Sequence, residues 1–423
     1  MKRLIILCDG MADYPVKALG GKTPLMAAKT PAMDRLAGEG ACGLFSTIPS
    51  DLPAGSEVAN LSVMGYDPRE NFCQRGVLEA ASLGVELSNT QLALRCNLIW
   101  VKDDKIGSHS GGDLSHEEGA EIIKLLNDKL GGGGIRFYRG IHYRHLLVMD
   151  GGDSHINCRP PHDYIGGNIA ELKVTALEKR GERTAEILNK LVADSAAVLA
   201  ALPLNREKAA LGEKRPNLIW PWAAGEKPRM KTIKELTGLD GAVITAVDLI
   251  KGLGLYAGMK VIEVEGATGN SRTNYEGKAG AALEALKKYD YVYLHVEAAD
   301  EAGHDGDLEL KIKVIEDLDS RLVSPIMKGI EEAKLDIRLA LLPDHPTPVE
   351  SGIHVKDPVP VILWGSGVTE DAVREYNEEE AKKGSLGLMD QKAFFNNFFG
   401  KNKTTTETLR TQRNTEKELR GTP

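Results

Sequence analysis

Four short segments of this chain place acids, histidines or a hydroxyl directly after an apolar run. Asp9 follows LIILC, Ser56 stands in PAGSEVANLS, and Asp300 and His304 lie in HVEAADEAGHDGD. Asp344 and His345 close the run Ile337–Leu342, and His354 comes nine residues after His345. Ligands of open α/β sheets bind at that carboxyl edge of the strands. Taken singly, Asp9 and Ser56 each suit a helix N-cap. A serine that opens a helix is equally placed as a nucleophile, because free N–H groups and the positive end of the dipole accept a phosphate there. The i,i+4 spacing of Asp300 and His304 lets both side chains converge on one metal ion. Of the four histidines beyond position 162, three fall beside these strand-end aspartates, which is a poor match for chance core histidines. Mixed carboxylate and imidazole ligands suit Mn²⁺ or Zn²⁺ better than an all-oxygen Mg²⁺ cage. Two close ions would clamp the attacking and leaving oxygens of an in-line displacement.

Those residues need elements to hold them. The opening reads as strand Leu4–Leu7, helix Thr30–Gly38, strand Ala41–Ser46 and helix Glu57–Met64. From about Leu78 to Gly212 the character changes. This stretch has six of the ten histidines, a four-glycine turn, the strand-like runs Leu92–Val101 and His145–Met149, and a long amphipathic helix near Ala176–Ala201. From Asn217 the alternation resumes, with strands Lys260–Val264, Tyr291–Val296, Ile337–Leu342 and Val359–Leu363. Helices Ala242–Leu253, Lys278–Lys288 and Leu308–Lys334 lie between them. Short apolar runs alternating with helices imply a parallel sheet covered on both faces. The expected organisation is a discontinuous α/β domain, 1–79 with 213–398, interrupted by a smaller inserted α+β domain, 80–212, that hinges over the metal ligands. The Thr-, Lys-, Glu- and Arg-rich stretch 399–423 buries too little apolar area to order itself and is expected to be a disordered tail.

The composition excludes several classes. At 42% hydrophobic and 27% charged, 423 residues can build two or three cores. A net charge of −8 without a basic run argues against a nucleic-acid partner. No apolar stretch approaches the eighteen residues of a membrane span. MKRLIILCDG has too short an apolar run for a signal peptide and reads as a first buried strand. Five cysteines, odd in number and never in a CxxC pair, fit a reducing cytoplasm rather than a disulfide framework or zinc cluster.

In order along residues 1 to about 398, the chain contains CDGMAD, GGKTPLMAAKTPAMDRLA, GSEVANLSVMGYDP, RGVLEA, VEGATGNSRTNYEGKA, HVEAADEAGHDGDLELKIKVIEDLD and LPDHPTP. As a combination these closely resemble the archaeal-type cofactor-independent phosphoglycerate mutases of the alkaline phosphatase superfamily. The resemblance implies an alkaline-phosphatase-like, mainly parallel sheet sandwiched by helices. It also implies two divalent ions (Mn, Zn or Mg) and an isomerase of glycolysis that passes a phosphoryl group through Ser56. Asp9, Ser56, Asp344 and His345 match the ligands of one ion; Asp300, His304 and His354 match those of the other. Lys278 and Arg75 stand in shared motifs and would neutralise phosphate charge. The pattern departs in the insert. The mutases show an Asp-Arg-Arg-rich segment there, whereas Ile106–Glu118 reads IGSHSGGDLSHEE, without arginine. FYRGIHYRHLLV at Phe137–Val148 and the PPHD segment Pro160–Asp163 resemble a branch of the same family proposed to be homoserine kinases. Arg139, Arg144 and Arg159 could supply a mutase's charge. For a kinase, Asp113 and Asp163 would meet an ammonium, with His109, Arg144 and His145 as donors. The expected partner is therefore a small phosphorylated metabolite or an amino acid, with the acceptor, a plain phosphomonoesterase activity and the oligomeric state left open.

Overall fold

The computed structural model describes residues 1–112 and 114–400. It divides into two compact units, Met1–Phe72 with Met230 onward, and Cys73–Arg229.

The first unit is built on an eight-stranded sheet. Its strand order is Lys260–Ile262, Gly241–Ile244, Tyr291–Val296, Lys2–Cys8, Ile337–Leu342, Val359–Gly365, Ala41–Phe45 and Gly387–Met389. The central three, YVYLHV, KRLIILC and IRLALL, are almost wholly buried, as apolar strands covered on both faces must be. Lys2–Cys8 runs parallel to both neighbours, pairing Leu7 with His295 on one side and with Leu342 on the other. All three strands therefore end at one level, and the residues after them share one edge. Side chains alternate between the faces. Leu4, Ile6 and Cys8 join one core with the helices Pro31–Gly38, Tyr275–Lys288 and the long element Leu308–Glu332. On the other face Tyr293 reaches the helix Ser56–Met64, and Tyr291 packs edge-on to Phe398 of the helix Gln391–Phe399.

The second unit is an α+β layer. An antiparallel sheet takes Lys105–Ser108, Gln91–Lys102, Arg144–Asp150 and Ile135–Ile141 in that order, with Leu218–Glu226 also paired to Gln91–Lys102. The helices His116–Leu130 and Glu182–Ala200 share its core.

Several details differ from the sequence reading. Val359–Gly365 pairs antiparallel with both Ile337–Leu342 and Ala41–Phe45. The reason is its connection, 343–358, which carries the Asp344–His345 loop and no helix; parallel neighbours need a long crossover. The first part of the expected helix Ala242–Leu253 is the strand Gly241–Ile244, and the helix is Asp248–Tyr256. A uniformly apolar run carries no periodicity that separates the two. The chain returns to the first sheet later than Asn217 suggests, because Leu218–Glu226 completes the second unit's sheet. Phe399 closes a helix, while Asp113 and the remainder of the expected tail, 401–423, lie outside the described residues. No single described helix is long and apolar enough to cross a membrane.

One glycine sets the edge geometry. Gly10 has φ +62°, and a Cβ there would stand 2.5 Å from the Asp300 Cα. Gly10→Ala should therefore cost about 2–4 kcal/mol, from left-handed strain plus overpacking. Urea unfolding checks this, and an unchanged midpoint would contradict it.

Candidate metal centre

Asp9 is the first residue past the strand Lys2–Cys8, and Asp300 sits in the helix Ala298–His304 that follows Tyr291–Val296. Asp344 and His345 begin the loop after Ile337–Leu342. Level strand ends thus deliver one carboxylate each to a common point.

On one side Asp300 meets two imidazoles. Its Oδ2 lies 3.2 Å from His304 Nε2 and its Oδ1 lies 3.3 Å from His354 Nε2. The two Nε2 atoms stand 2.9 Å apart. His304 Nδ1 is 2.7 Å from the Gly352 carbonyl, which can only accept, so that nitrogen keeps its proton and Nε2 is the atom that would give up its proton to face a cation. A backbone carbonyl fixing the tautomer of a metal-ligating histidine is the usual outer-shell arrangement.

On the other side His345 Nε2 lies 3.1 Å from the Ser56 hydroxyl, 3.3 Å from Asp344 Oδ2 and 3.6 Å from Asp9 Oδ1. Asp9, Asp300 and His345 form one group with converging ligand atoms, and Asp300, His304 and His354 form a second. Asp300 belongs to both. Ser56 opens the helix Ser56–Met64, so its hydroxyl stands at the positive end of that helix's dipole.

Several residues at this centre carry no strong sequence signal. Asn60 donates Nδ2 to Asp344 Oδ2 (2.9 Å) and to the Ser56 carbonyl (2.9 Å), while its Oδ1 accepts from the Tyr293 hydroxyl. The Thr347 hydroxyl lies 2.5 Å from Asp300 Oδ1 and 3.2 Å from His345 Nδ1. His295, the fourth histidine beyond position 162, places Nε2 2.9 Å from Asp9 Oδ2 and Nδ1 3.1 Å from the Thr245 hydroxyl. Its position at the end of a buried strand, level with Leu7, was the available clue.

The electrostatics call for cations. Burial, then the charges of Asp344, Asp300 and Glu297, push the Asp9 carboxyl well above the usual range. Burial pushes Glu297 to about 8, with Asp300 adding to it. Burial would also raise Asp300, but hydrogen bonds from His304 and His354 outweigh it and hold it low; the same bond lifts His304 to about 9. Asp9 Oδ1 is buried with no hydrogen-bond partner. An orphaned carboxylate oxygen facing imidazole nitrogens and other carboxylates is the donor set that divalent ions take, and the residues fit them.

The expected substrate groups are spread along the chain. Lys278 is buried in the first unit with Nζ 3.0 Å from the His295 carbonyl, and burial lowers it to about 8. Arg75, Arg144, His109 and His145 belong to the second unit. There His109 packs edge-on to Tyr143 and His162, His162 to Trp222, and Arg95 over Trp222 beside Glu79. Arg144 is exposed, its guanidinium 5.9 Å from the centre of the Tyr143 ring. His145 is enclosed, with Nδ1 accepting from the Gly140 N–H, which fits packing within its strand.

Comparison with known proteins gives the family. Residues 1–398 match the metalloenzyme superfamily. The chain is 46% identical over 391 residues to a 2,3-bisphosphoglycerate-independent phosphoglycerate mutase of Methanosarcina barkeri, covering 92% of this chain and 97% of the relative. It is 47% identical over 391 residues to 2,3-bisphosphoglycerate-independent phosphoglycerate mutase 2 of Methanothermobacter thermautotrophicus, covering 92% and 95%. A solved Pyrococcus horikoshii structure superposes with TM-score 0.80 at 32% identity over 94% of this chain and 96% of the other. The cofactor-independent phosphoglycerate mutase of Thermoplasma acidophilum gives TM-score 0.68 at 27% identity, over 94% and 99%.

Two outcomes follow from these environments. Chelator-stripped protein should melt at a lower temperature than protein resupplied with Mn²⁺ or Zn²⁺. The gain is about 2.7 kcal/mol at a hundredfold excess over Kd, and melting indifferent to cations would contradict the fit. Burial also holds His145 down to about 3, against ~6.5 in an unfolded chain. Between those values the unfolded chain takes up the proton first, so stability falls as pH drops from about 6.5 towards 3. Relative to His145→Leu, the parent should lose about 2 kcal/mol between pH 7 and 5 in urea unfolding; parallel pH profiles would argue against it.

Proposed function

The chain belongs to the metalloenzyme superfamily and, within it, to the family of 2,3-bisphosphoglycerate-independent phosphoglycerate mutases, and from that premise we propose that it interconverts 2- and 3-phosphoglycerate through a phosphorylated Ser56. The observation that carries this reading is the Ser56 hydroxyl, at a helix N-terminus and 3.1 Å from His345 within a cluster of carboxylates and imidazoles.

Two divalent ions fit the donor sets, with Mn²⁺ or Zn²⁺ favoured by the imidazoles. Asp300, His304 and His354 would hold one; Asp9, Asp344 and His345, with Ser56, would hold the other. Bound there, the ions supply Lewis acidity and positive charge, making a nearby hydroxyl more acidic and neutralising phosphate oxygens. The rest is the work of this chain. Ser56 Oγ bonds to phosphorus as the bond from phosphorus to the glycerate oxygen breaks, and the serine proton ends on the released hydroxyl. The second half runs in reverse, to the neighbouring hydroxyl of the same glycerate. The positive end of the Ser56–Met64 helix dipole favours the phosphate oxygens. Asn60 fixes both the Ser56 carbonyl and Asp344, so the nucleophile and a ligand keep one spacing. The neutral form of His295, lowered to about 3 by burial, orients Asp9. Lys278, beside His295 in the first unit, is on this reading a charge partner of the substrate phosphate.

Ser56→Ala should keep the fold and lose turnover of 3-phosphoglycerate by several orders of magnitude, as removal of a nucleophile does. In the parent, mass spectrometry after brief exposure to substrate should find the phosphoryl group on the Ser56 peptide. A phosphopeptide elsewhere would end the nucleophile assignment. A parent inert to 3-phosphoglycerate but able to phosphorylate homoserine from ATP would end the mutase reading.

A further inference from the structure

Behind the metal ligands lies a buried lysine that touches none of them. Lys311, in the helix Leu308–Asp317, is 0% exposed. Its ammonium has three donors and finds three oxygens: Asp13 Oδ2 at 2.8 Å, the Thr347 carbonyl at 2.8 Å and the Ala12 carbonyl at 3.3 Å. Those oxygens belong to the two loops that deliver Asp9 and the Asp344–His345 pair. The loops also meet directly, Thr347 N–H donating to the Ala12 carbonyl and Val349 N–H to Asp13 Oδ2. Thr347 connects this knot to the ligands, since its hydroxyl contacts Asp300 Oδ1 and His345 Nδ1. The helix Ala298–His304 presses against the same residue. A Cβ on Gly303 would stand 2.4 Å from the Thr347 carbonyl. Every element bearing a ligand of the Asp9–Asp300–His345 group therefore meets at Thr347 and Ala12, and Lys311 bonds to both carbonyls.

We infer that Lys311, paired with Asp13, is a positioning residue for the metal centre, locking the Asp9 loop to the Asp344–His345 loop at the spacing that lets Asp9, Asp300 and His345 converge. This rests on the metal reading above. A buried pair that served the fold alone would affect unfolding and leave cation affinity unchanged. A positioning pair loosens the donor set, and outer-shell substitutions of that kind cost about 10–100-fold in metal affinity.

The test compares the full-length parent, Lys311→Met and the double variant Asp13→Asn/Lys311→Met. The single variant strands a buried carboxylate and can unfold for that reason alone; the double variant removes both charges together. Each chelator-stripped protein is checked for folding by circular dichroism and then titrated with Mn²⁺ by calorimetry. The folded double variant should bind Mn²⁺ about 10–100-fold more weakly than the parent. Its turnover of 3-phosphoglycerate at saturating Mn²⁺ should return to within a few-fold of the parent. A folded double variant whose Mn²⁺ affinity stays within about twofold of the parent overturns the inference. A double variant that cannot fold overturns it too, by making the pair part of the core. If the parent itself takes up no Mn²⁺, the metal reading fails before any substitution is compared, and this inference falls with it.

Discussion

Three carboxylates, Asp9, Asp300 and Asp344, meet at the ends of a buried sheet with exposures of 1%, 4% and 0%. Like charges brought that close out of water repel one another and lose their hydration, so the folded chain must either bind protons there or receive cations. Burial and its acidic neighbours push Asp9 towards the proton, whereas the histidines hold Asp300 ionised. The first response is that of a donor set short of positive charge; in the second, imidazoles supply it. The two buried lysines nearby make their hydrogen bonds elsewhere: Lys278 donates to the His295 carbonyl, and Lys311 to Asp13 and two carbonyls.

Much of the first unit reads as the means of holding those groups together. Parallel pairing of three strands in one register sets their ends level. Gly10 lets the chain turn against Asp300 where a side chain would collide. The loop after Ile337–Leu342 takes the place of a crossover helix, and the next strand runs antiparallel as a result. Around the ligands, neutral side chains fix direction. Asn60 ties Asp344 to Ser56, His295 ties Asp9 to Thr245, and the Thr47 hydroxyl holds the Asp344 carbonyl.

How far the sequence exposed this arrangement depended on locality. Tyr291–Val296 and Ile337–Leu342 were legible to the residue, because a short apolar run ending in Pro-Asp-His or Glu-Ala-Ala-Asp carries its own boundary. The pairing of Asp300 with His304 was legible from their spacing, whereas His354 joined them only through the resemblance. Gly241–Ile244 was not legible, since a uniformly apolar run fits strand and helix alike, nor was Leu218–Glu226, since which sheet a strand joins is decided by partners far along the chain. Asn60, Thr347 and His295 escaped for the same reason: an asparagine inside a helix or a threonine in a loop has many ordinary uses, and their partners lie up to hundreds of residues away. The sharing of Asp300 between two groups is a property of three-dimensional convergence alone.

The central claim is that this edge is built for a pair of divalent cations. Anomalous diffraction from crystals of the Mn²⁺-loaded protein tests it most directly. The account expects two peaks, one within about 2.0–2.4 Å of Asp300, His304 and His354, the other at similar distances from Asp9, Asp344 and His345. Crystals that show no peak among these residues at saturating Mn²⁺, or only one shared by all of them, would contradict it.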